Sequence, residues 1–425
     1  MNENSKIFIN KKILIYGLGK SGQSSFNFLK KKKNKIYLYD DKKQNLFKAD
    51  QIKKIQFDAI IISPGINIHK CKLSKFLREN LDIIYTDLDV FFCFNKNQFI
   101  TITGTNGKST TCQLLYEVLK KQKFDVRLGG NIGKPLLSFK KFNKKTFFVI
   151  EASSYQLEYS KLFRSKYAAI LNISPDHLER HKTIEKYVKA KFKLFSNQSK
   201  NSFGLINKND NKIMSHIKKN NYQGKIILVD TFLKNEFLKS FKNENFLSGT
   251  NIENLSFVIK LSKILKVSNK NLFQAVKNFK GLKYRQQIIF KNKNVQIIND
   301  SKSTSYSSSI KILKEKKNIY WLVGGIPKKG DKFFLPKNYY KNIKVYIFGR
   351  NQKKFLSDFK KKIKIKKFLN LDDAWIKLSK DIKNDKSKKK TILFSPAAAS
   401  FDNFKNFEDR GEYFNQLVKR FRNAK

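Results

Sequence analysis

The stretch "FITITGTNGKSTTCQLLYEVLKKQ" (residues 99–122) most narrows what this chain can fold into. Alternating β-branched and apolar residues end at Thr103, a Gly-x-x-Gly turn follows, and an amphipathic helical pattern begins at Lys108. Strand, glycine turn and helix in that order predict a parallel α/β sheet, with the turn at a strand's C-terminal end. Backbone N–H groups of Gly104, Thr105, Asn106 and Gly107 are then placed to wrap phosphate oxygens at a helix N-terminus. Lys108 is the expected counter-charge for β/γ oxygens, and Ser109 or Thr110 the expected hydroxyl for Mg²⁺. The loop is not the common G-x-x-x-x-G-K-[ST] form. Counting back from Gly107, the first glycine of that template falls on Ile102, so this loop is two residues shorter.

Strand–helix alternation extends both ways from the loop. Upstream, "KKILIYG", "KSGQSSFNFLKK", "NKIYLYDD" and "FDAIIIS" read as strand, helix, strand and strand. Downstream, "TFFVIEASSYQLE", "YAAILNIS", "NSFGLIN" and "KIILVD" continue the pattern before a helical stretch. A third alternating block starts near Lys283 with "VQIINDS", "NIYWLVGG", "KVYIFGR" and "TILFSPAAAS". The expected architecture is α/β in three consecutive domains, 1–94, 95–282 and 283–425. The lysine-rich "KDIKNDKSKKK" is expected to be a solvated loop.

The net charge of +57 invites a nucleic-acid partner. The excess is nearly all Lys, spread along the chain beside abundant Asn, Ile and Phe, a set favoured by A/T-rich codons. With no nucleic-acid module visible, a basic surface suited to small anionic substrates is expected and nucleic acid is not. Cys71, Cys93 and Cys112 match no metal or disulfide spacing, which fits a reducing cytoplasm. No run of about 18 apolar residues is present, so no membrane span is expected.

Other candidates sit at strand ends. Gly17-x-Gly19-x-x-Gly22 has the dinucleotide spacing, with Asp40 and Asp41 ending the next strand. By itself it is compatible with a dehydrogenase or with a nucleotide-diphosphate site. Glu151 ends the strand after the phosphate loop, where a carboxylate can either ligate Mg²⁺ or simply occupy a turn. Asp176 and His177 follow another strand end, and Arg285, Asp300, Lys302 and Thr304 cluster about a third. Each of these also reads as a turn or cap.

In order along the chain, "GTNGKST", "NIG", "EASSYQLE", "LNISPDH", "NDSKST" and "SPAAASFDNFKNFEDRG" resemble the Mur ligase family of ATP-dependent amide-forming enzymes. The likeness spans Gly17 to Gly411. It implies a Rossmann-like UDP-binding domain, a central ATPase domain and a Rossmann-like C-terminal domain that binds the amino acid. "EASSYQLE", "NDSKST" and "SPAAASFDNFKNFEDRG" resemble members that join D-glutamate to UDP-N-acetylmuramoyl-L-alanine, implying those substrates and a monomeric cytoplasmic enzyme of peptidoglycan precursor synthesis. Residue by residue, the resemblance assigns ATP phosphates and a first Mg²⁺ to Gly104–Thr110 with Glu151. A second Mg²⁺ is implied at His177 and at Lys191, carried as its carbamate. Asn251, Asn254, Arg285 and Asp300 match nucleotide contacts, while Lys302, Thr304, Lys328, Ser400, Phe401 and Phe407 match positions around D-glutamate. Leu18, Lys20, Ser21, Asp40, Asp41, Ser63, Gly65 and Asn131 match the UDP end. Lys108, His177, Lys191 and Lys302 are the expected catalytic set.

Thr250 and Tyr284 stand where the family commonly has histidine, and Gln287 where it commonly has glutamate. The alternatives are a sibling amide ligase, including a folylpolyglutamate-type enzyme, and a basic nucleic-acid-dependent ATPase.

Overall fold

The computed structural model describes residues 3–423 except 44, 45, 234–237, 239, 244, 245, 247, 248, 329, 360–362 and 388. The chain divides into two compact units. The first comprises Met1–Ile173, Arg180–Phe241 and Glu253–Phe279; the second comprises Ser174–Glu179, Lys242–Ile252 and Lys280–Lys425.

The first unit holds two of the three sheets. In the first sheet the strand Lys12–Tyr16 lies between Lys35–Tyr39 and Ala59–Ile62, and Ile84–Tyr85 completes the edge, all parallel. In the second, Gln98–Thr103 lies between Tyr167–Ile170 and Phe147–Glu151. Parallel strands with both faces covered must be apolar throughout, and Ala59–Ile62 and Tyr167–Ile170 are buried at every position. The order of each sheet reverses beside its first strand, which opens a crevice at the C-terminal strand ends. Both expected glycine loops lie at such a reversal.

The two sheets expected as separate domains share one apolar cluster, in which Ile13, Ile15 and Phe91 join Phe99, Phe148 and Ile150. A buried carboxylate fixes the junction. Asp89 accepts the backbone N–H of Lys161, Leu162 and Phe163 at 2.9, 2.8 and 3.0 Å and the Ser160 hydroxyl at 2.8 Å. Its other oxygen caps its own helix, Asp87–Phe94, through Thr86 N–H. Such complete hydrogen bonding is what makes a buried charge tolerable.

In the second unit, Val295–Asn299, Lys390–Phe394, Ile319–Gly324, Ile343–Phe348 and Lys364–Phe368 are parallel neighbours in that order. An antiparallel edge strand, Gln287–Lys291, precedes them and carries a bulge between Ile288 and Phe290. Strict strand–helix alternation did not predict this strand, because a hairpin needs no crossover. "KDIKNDKSKKK" is also less loop-like than expected, since the helix Leu371–Asn384 runs through its first half. Asp381 accounts for this, accepting from Tyr346 and Lys366, each at 2.5 Å. Lys388 lies outside the described residues.

Candidate functional site

The strand Gln98–Thr103 delivers the chain to Gly104, and the helix Lys108–Lys121 starts directly after Gly107. Gly107 has φ +82°, and a Cβ there would fall 2.0 Å from the Asn254 Oδ1. Only glycine meets both demands. The helix has no side-chain cap at this end, so its first N–H groups face the loop. Lys108 folds over the loop and donates to the carbonyls of Gly104 and Thr105 at 2.9 and 2.8 Å. The Ser109 hydroxyl donates to Glu151 at 2.6 Å, and Asn131 donates to the other Glu151 oxygen at 2.7 Å. Glu151 is buried. Thr110 is half-buried in the helix's first turn.

Lys191 is 1% exposed. Its Nζ donates to Gly104 O at 2.8 Å and approaches Thr103 Oγ1 at 3.4 Å, and it lies 4.6 Å from the Tyr187 ring centre. This singles it out among the many lysines, because it touches the phosphate loop itself. Glycine N–H groups, a lysine, a hydroxyl and a buried carboxylate together form a donor set that fits a nucleotide phosphate with a divalent cation. Among the described residues no three His, Cys, Asp or Glu side chains cluster for a metal.

Two clamps on this loop escaped the sequence reading. Asn172 accepts Asn106 N–H on its side-chain oxygen and Thr105 N–H on its carbonyl, both at 2.9 Å. Glu253 in turn accepts from Asn172 at 2.9 Å and Asn207 at 3.2 Å. "LNIS" contained the signal for Asn172, whereas Glu253 is distant in sequence and gave none. Asn254, the next residue, packs on Gly107 as described; Asn251 belongs to the second unit, and the side chain of Thr250 lies outside the described residues.

At the N-terminal loop, Asp40 accepts Leu18 N–H at 2.7 Å and Lys42 N–H at 3.0 Å. Asp41 accepts the Tyr16 hydroxyl at 2.8 Å. Ser63 donates to Gly17 O at 2.5 Å, joining the turn at Gly65 to the glycine loop. A Cβ on Gly22 would lie 1.9 Å from Gly17 O, which explains the third glycine. Lys20 and Ser21 open the helix Lys20–Leu29. Asn131 is held by Glu151, as above.

The second unit gathers another set at its strand ends. Lys302 Nζ stands 3.8 Å from the Phe407 ring centre, and the Arg285 guanidinium 6.0 Å from it. Burial pushes the Asp300 carboxyl up to about 7, against the opposing hydrogen bonds of Ser395 Oγ and Gln286 N–H. Lys328 pairs with Asp176 at 2.6 Å, while His177, at φ +55°, lies between Asp176 and Glu179 at 3.3 and 3.4 Å. His177 and Lys191 fall in different units. Ser400 is buried, Thr304 half-buried, and Phe401 72% exposed.

Arg410 was missed, although it lies within a quoted motif. Its buried guanidinium donates to Ser301 O at 2.8 Å, Ala398 O at 3.0 Å and Ser301 Oγ at 3.1 Å, bringing "NDSKST" and "SPAAAS" together. The departures at Tyr284 and Gln287 are mutual partners. Gln287 Oε1 accepts Tyr284 N–H at 3.0 Å, and the Tyr284 hydroxyl donates to Glu412 at 2.8 Å.

Fold and site together define an α/β nucleotide-binding protein with a phosphate loop at a sheet reversal. Residues 102–276 match the model of the Mur ligase middle domain. The chain is 35% identical to the UDP-N-acetylmuramoylalanine–D-glutamate ligase of Rickettsia felis, covering 99% of this chain and 98% of that one. It is 30% identical to the enzyme of the same name from Aquifex aeolicus, covering 96% and 98%. Among solved structures, the fold is similar to UDP-N-acetylmuramate–alanine ligase MurC of Thermotoga maritima, with TM-score 0.56 and 17% identity over 98% of this chain and all of the other. MurF ligase of the same organism, solved in complex with ADP, gives TM-score 0.56 at 16% identity over 98% and 97% of the chains. The chain belongs to the Mur ligase family.

Proposed function

We propose that this chain is an ATP-dependent ligase that adds D-glutamate to UDP-N-acetylmuramoyl-L-alanine in peptidoglycan precursor synthesis. The observation that carries the reading is the phosphate loop closed by Lys108 and Lys191, with Ser109 and Glu151 hydrogen-bonded beside it. The likeness to D-glutamate ligases over nearly the whole chain supplies the substrates.

A carboxylate resists attack by an amine because its oxygen is a poor leaving group. Transfer of the ATP γ-phosphoryl to the alanyl carboxylate forms a P–O bond, breaks the bond to ADP, and leaves an acyl phosphate. The amine of D-glutamate then forms the amide bond at the acyl carbon, and inorganic phosphate departs. Bringing a carboxylate to a triphosphate opposes like charges, and Lys108 lowers that cost where the phosphoryl group passes. Ser109 or Thr110 with Glu151 would hold one Mg²⁺, and His177 with a carbamate of Lys191 would hold a second, and these ions would supply further positive charge. Asn251, Asn254, Arg285 and Asp300 serve the nucleotide. Lys302, Thr304, Lys328, Ser400, Phe401 and Phe407 receive D-glutamate, Lys302 as cation for its carboxylates. The loop at Leu18, Lys20 and Ser21, with Asp40, Asp41, Ser63, Gly65 and Asn131, holds the UDP end. The domains at 1–94, 95–282 and 283–425 then bind, in turn, the UDP handle, ATP and the amino acid, in a monomeric cytoplasmic enzyme.

Phosphate release from ATP tests this. It is expected only with Mg²⁺, UDP-N-acetylmuramoyl-L-alanine and D-glutamate together. Equal turnover with L-glutamate or L-lysine would refute the assignment, as would ATP hydrolysis driven by DNA or RNA.

A further inference from the structure

Arg180 has no role in the reaction as set out above, yet it is among the most buried cations in the first unit, its side chain 6% exposed. Its Nε donates to Glu158 at 3.0 Å, and one terminal nitrogen donates to the Pro64 carbonyl at 2.6 Å. The plane of the guanidinium is held by Tyr155, whose ring centre is 4.0 Å away. The other Glu158 oxygen lies 3.6 Å from His181 Nδ1, and His181 Nε2 reaches the Ser154 hydroxyl at 3.0 Å. Arg180 therefore joins the helix Ser154–Glu158, which follows Glu151, to a turn of the first sheet.

That turn is Ser63-Pro64-Gly65. Ser63 already holds Gly17 O at 2.5 Å, and Ile66 N–H closes the turn on Ser63 O at 3.0 Å. The Pro64–Gly65 peptide is left to be set by something else. A trans peptide is planar, with C=O and N–H on opposite edges. Holding the Pro64 carbonyl toward Arg180 consequently turns the Gly65 N–H the other way. Around Gly65 there is open space, with no heavy atom within 4 Å of where a Cβ would stand. The bond is charge-assisted and part-buried, which restrains the plane.

We propose that Arg180 is a positioning residue for the UDP-sugar substrate, fixing the Pro64–Gly65 peptide so that the turn presents Gly65 N–H to the UDP end. This rests on the ligase reading above.

The test is binding of UDP-N-acetylmuramoyl-L-alanine by calorimetry without ATP, together with KM for each substrate, in wild type, Arg180→Ala and Arg180→Lys. In Arg180→Ala the UDP-substrate Kd and KM are expected to rise about tenfold, with the ATP KM within about twofold. Lysine keeps the charge but not the planar fork. Arg180→Lys is therefore expected to recover part of the affinity. Unchanged UDP-substrate binding in Arg180→Ala overturns the proposal, and so does an ATP KM that rises by the same factor. If Arg180→Ala is not recovered folded, Arg180→Lys decides, and wild-type Kd and KM in that variant overturn it. Wild type that neither binds this substrate nor releases phosphate would instead overturn the ligase reading itself.

Discussion

Replacing Arg410 by methionine should loosen the second unit and weaken D-glutamate use together. Arg410 is 0% exposed, and burial lowers its guanidinium to about 10, so it still carries its charge at neutral pH. Methionine fills much of the same volume but leaves Ser301 O and Ala398 O, now donated to at 2.8 and 3.0 Å, without a donor. Each buried carbonyl left unpaired costs ~1–3 kcal/mol, and removing the desolvated charge returns part of this, for a net loss of ~2–4 kcal/mol. Both tryptophans, Trp321 and Trp375, lie in the second unit, so their fluorescence reports its unfolding alone. With a urea slope of ~1–3 kcal/mol per molar, the fluorescence midpoint should fall by about 1–2 M. The functional effect follows from Ser301, which Arg410 grips beside Lys302, and whose hydroxyl donates to Phe407 O at 2.9 Å. Moving Ser301 shifts Lys302 against Phe407, so the D-glutamate KM should rise more than the ATP KM. A midpoint within about 0.2 M of wild type would refute the accounting.

Gly107→Ala must place a methyl at φ +82° and displace Asn254, so ATP affinity should drop by ~1–3 kcal/mol, read as KM or by nucleotide titration; an unchanged value removes the steric argument. Asp300 provides a pH test. Its folded value of about 7 lies above the ordinary 3.8 because of burial, so between those values the folded state holds a proton the unfolded state has lost. Its contribution to stability is thus present at low pH and declines as pH rises through that window, by at most ~4 kcal/mol. Asp300→Asn does not titrate, so its stability relative to wild type should climb from pH 5 to pH 8, as followed by tryptophan fluorescence; a flat difference would refute the shift. For Lys191, ¹³C-bicarbonate should give a carbamate resonance that is absent in Lys191→Ala, and short carboxylates should restore part of that variant's lost turnover. Full activity in Lys191→Ala removes it from the site.

The parts of the site legible in the sequence were those whose chemistry is local. Gly104 to Ser109 lie within one strand–turn–helix, and Glu151 ends the neighbouring strand, so alternation and glycine spacing predicted both. The edge strand Gln287–Lys291 was not legible, because "QIIFK" is short and has no crossover helix to announce it. Nor did spacing alone distinguish Lys191 in a chain with 90 Lys and Arg residues. Its match to the family's lysine position singles it out in the sequence, and its burial under Gly104 gives that a physical ground.

What sequence reasoning missed has a common cause. Each strand-end loop turns backbone N–H or C=O groups toward a neighbour that comes from elsewhere in the chain. Asn172 holds Asn106 N–H across 66 residues, Arg410 holds Ser301 O across 109, and Arg180 holds Pro64 O across 116. A loop turned tightly at a strand end cannot satisfy all of its backbone polar groups locally. The remaining polar groups must be met by side chains of fixed charge and reach. The groups that Arg410 and Arg180 clamp therefore sit one residue away from those proposed to meet substrate: Ser301 beside Asp300 and Lys302, and Pro64 beside Ser63 and Gly65. Exchanging a clamp for a residue of similar size should alter substrate affinity without touching any group that contacts substrate. That separates these positions from ordinary core residues, whose replacement lowers stability and leaves KM alone.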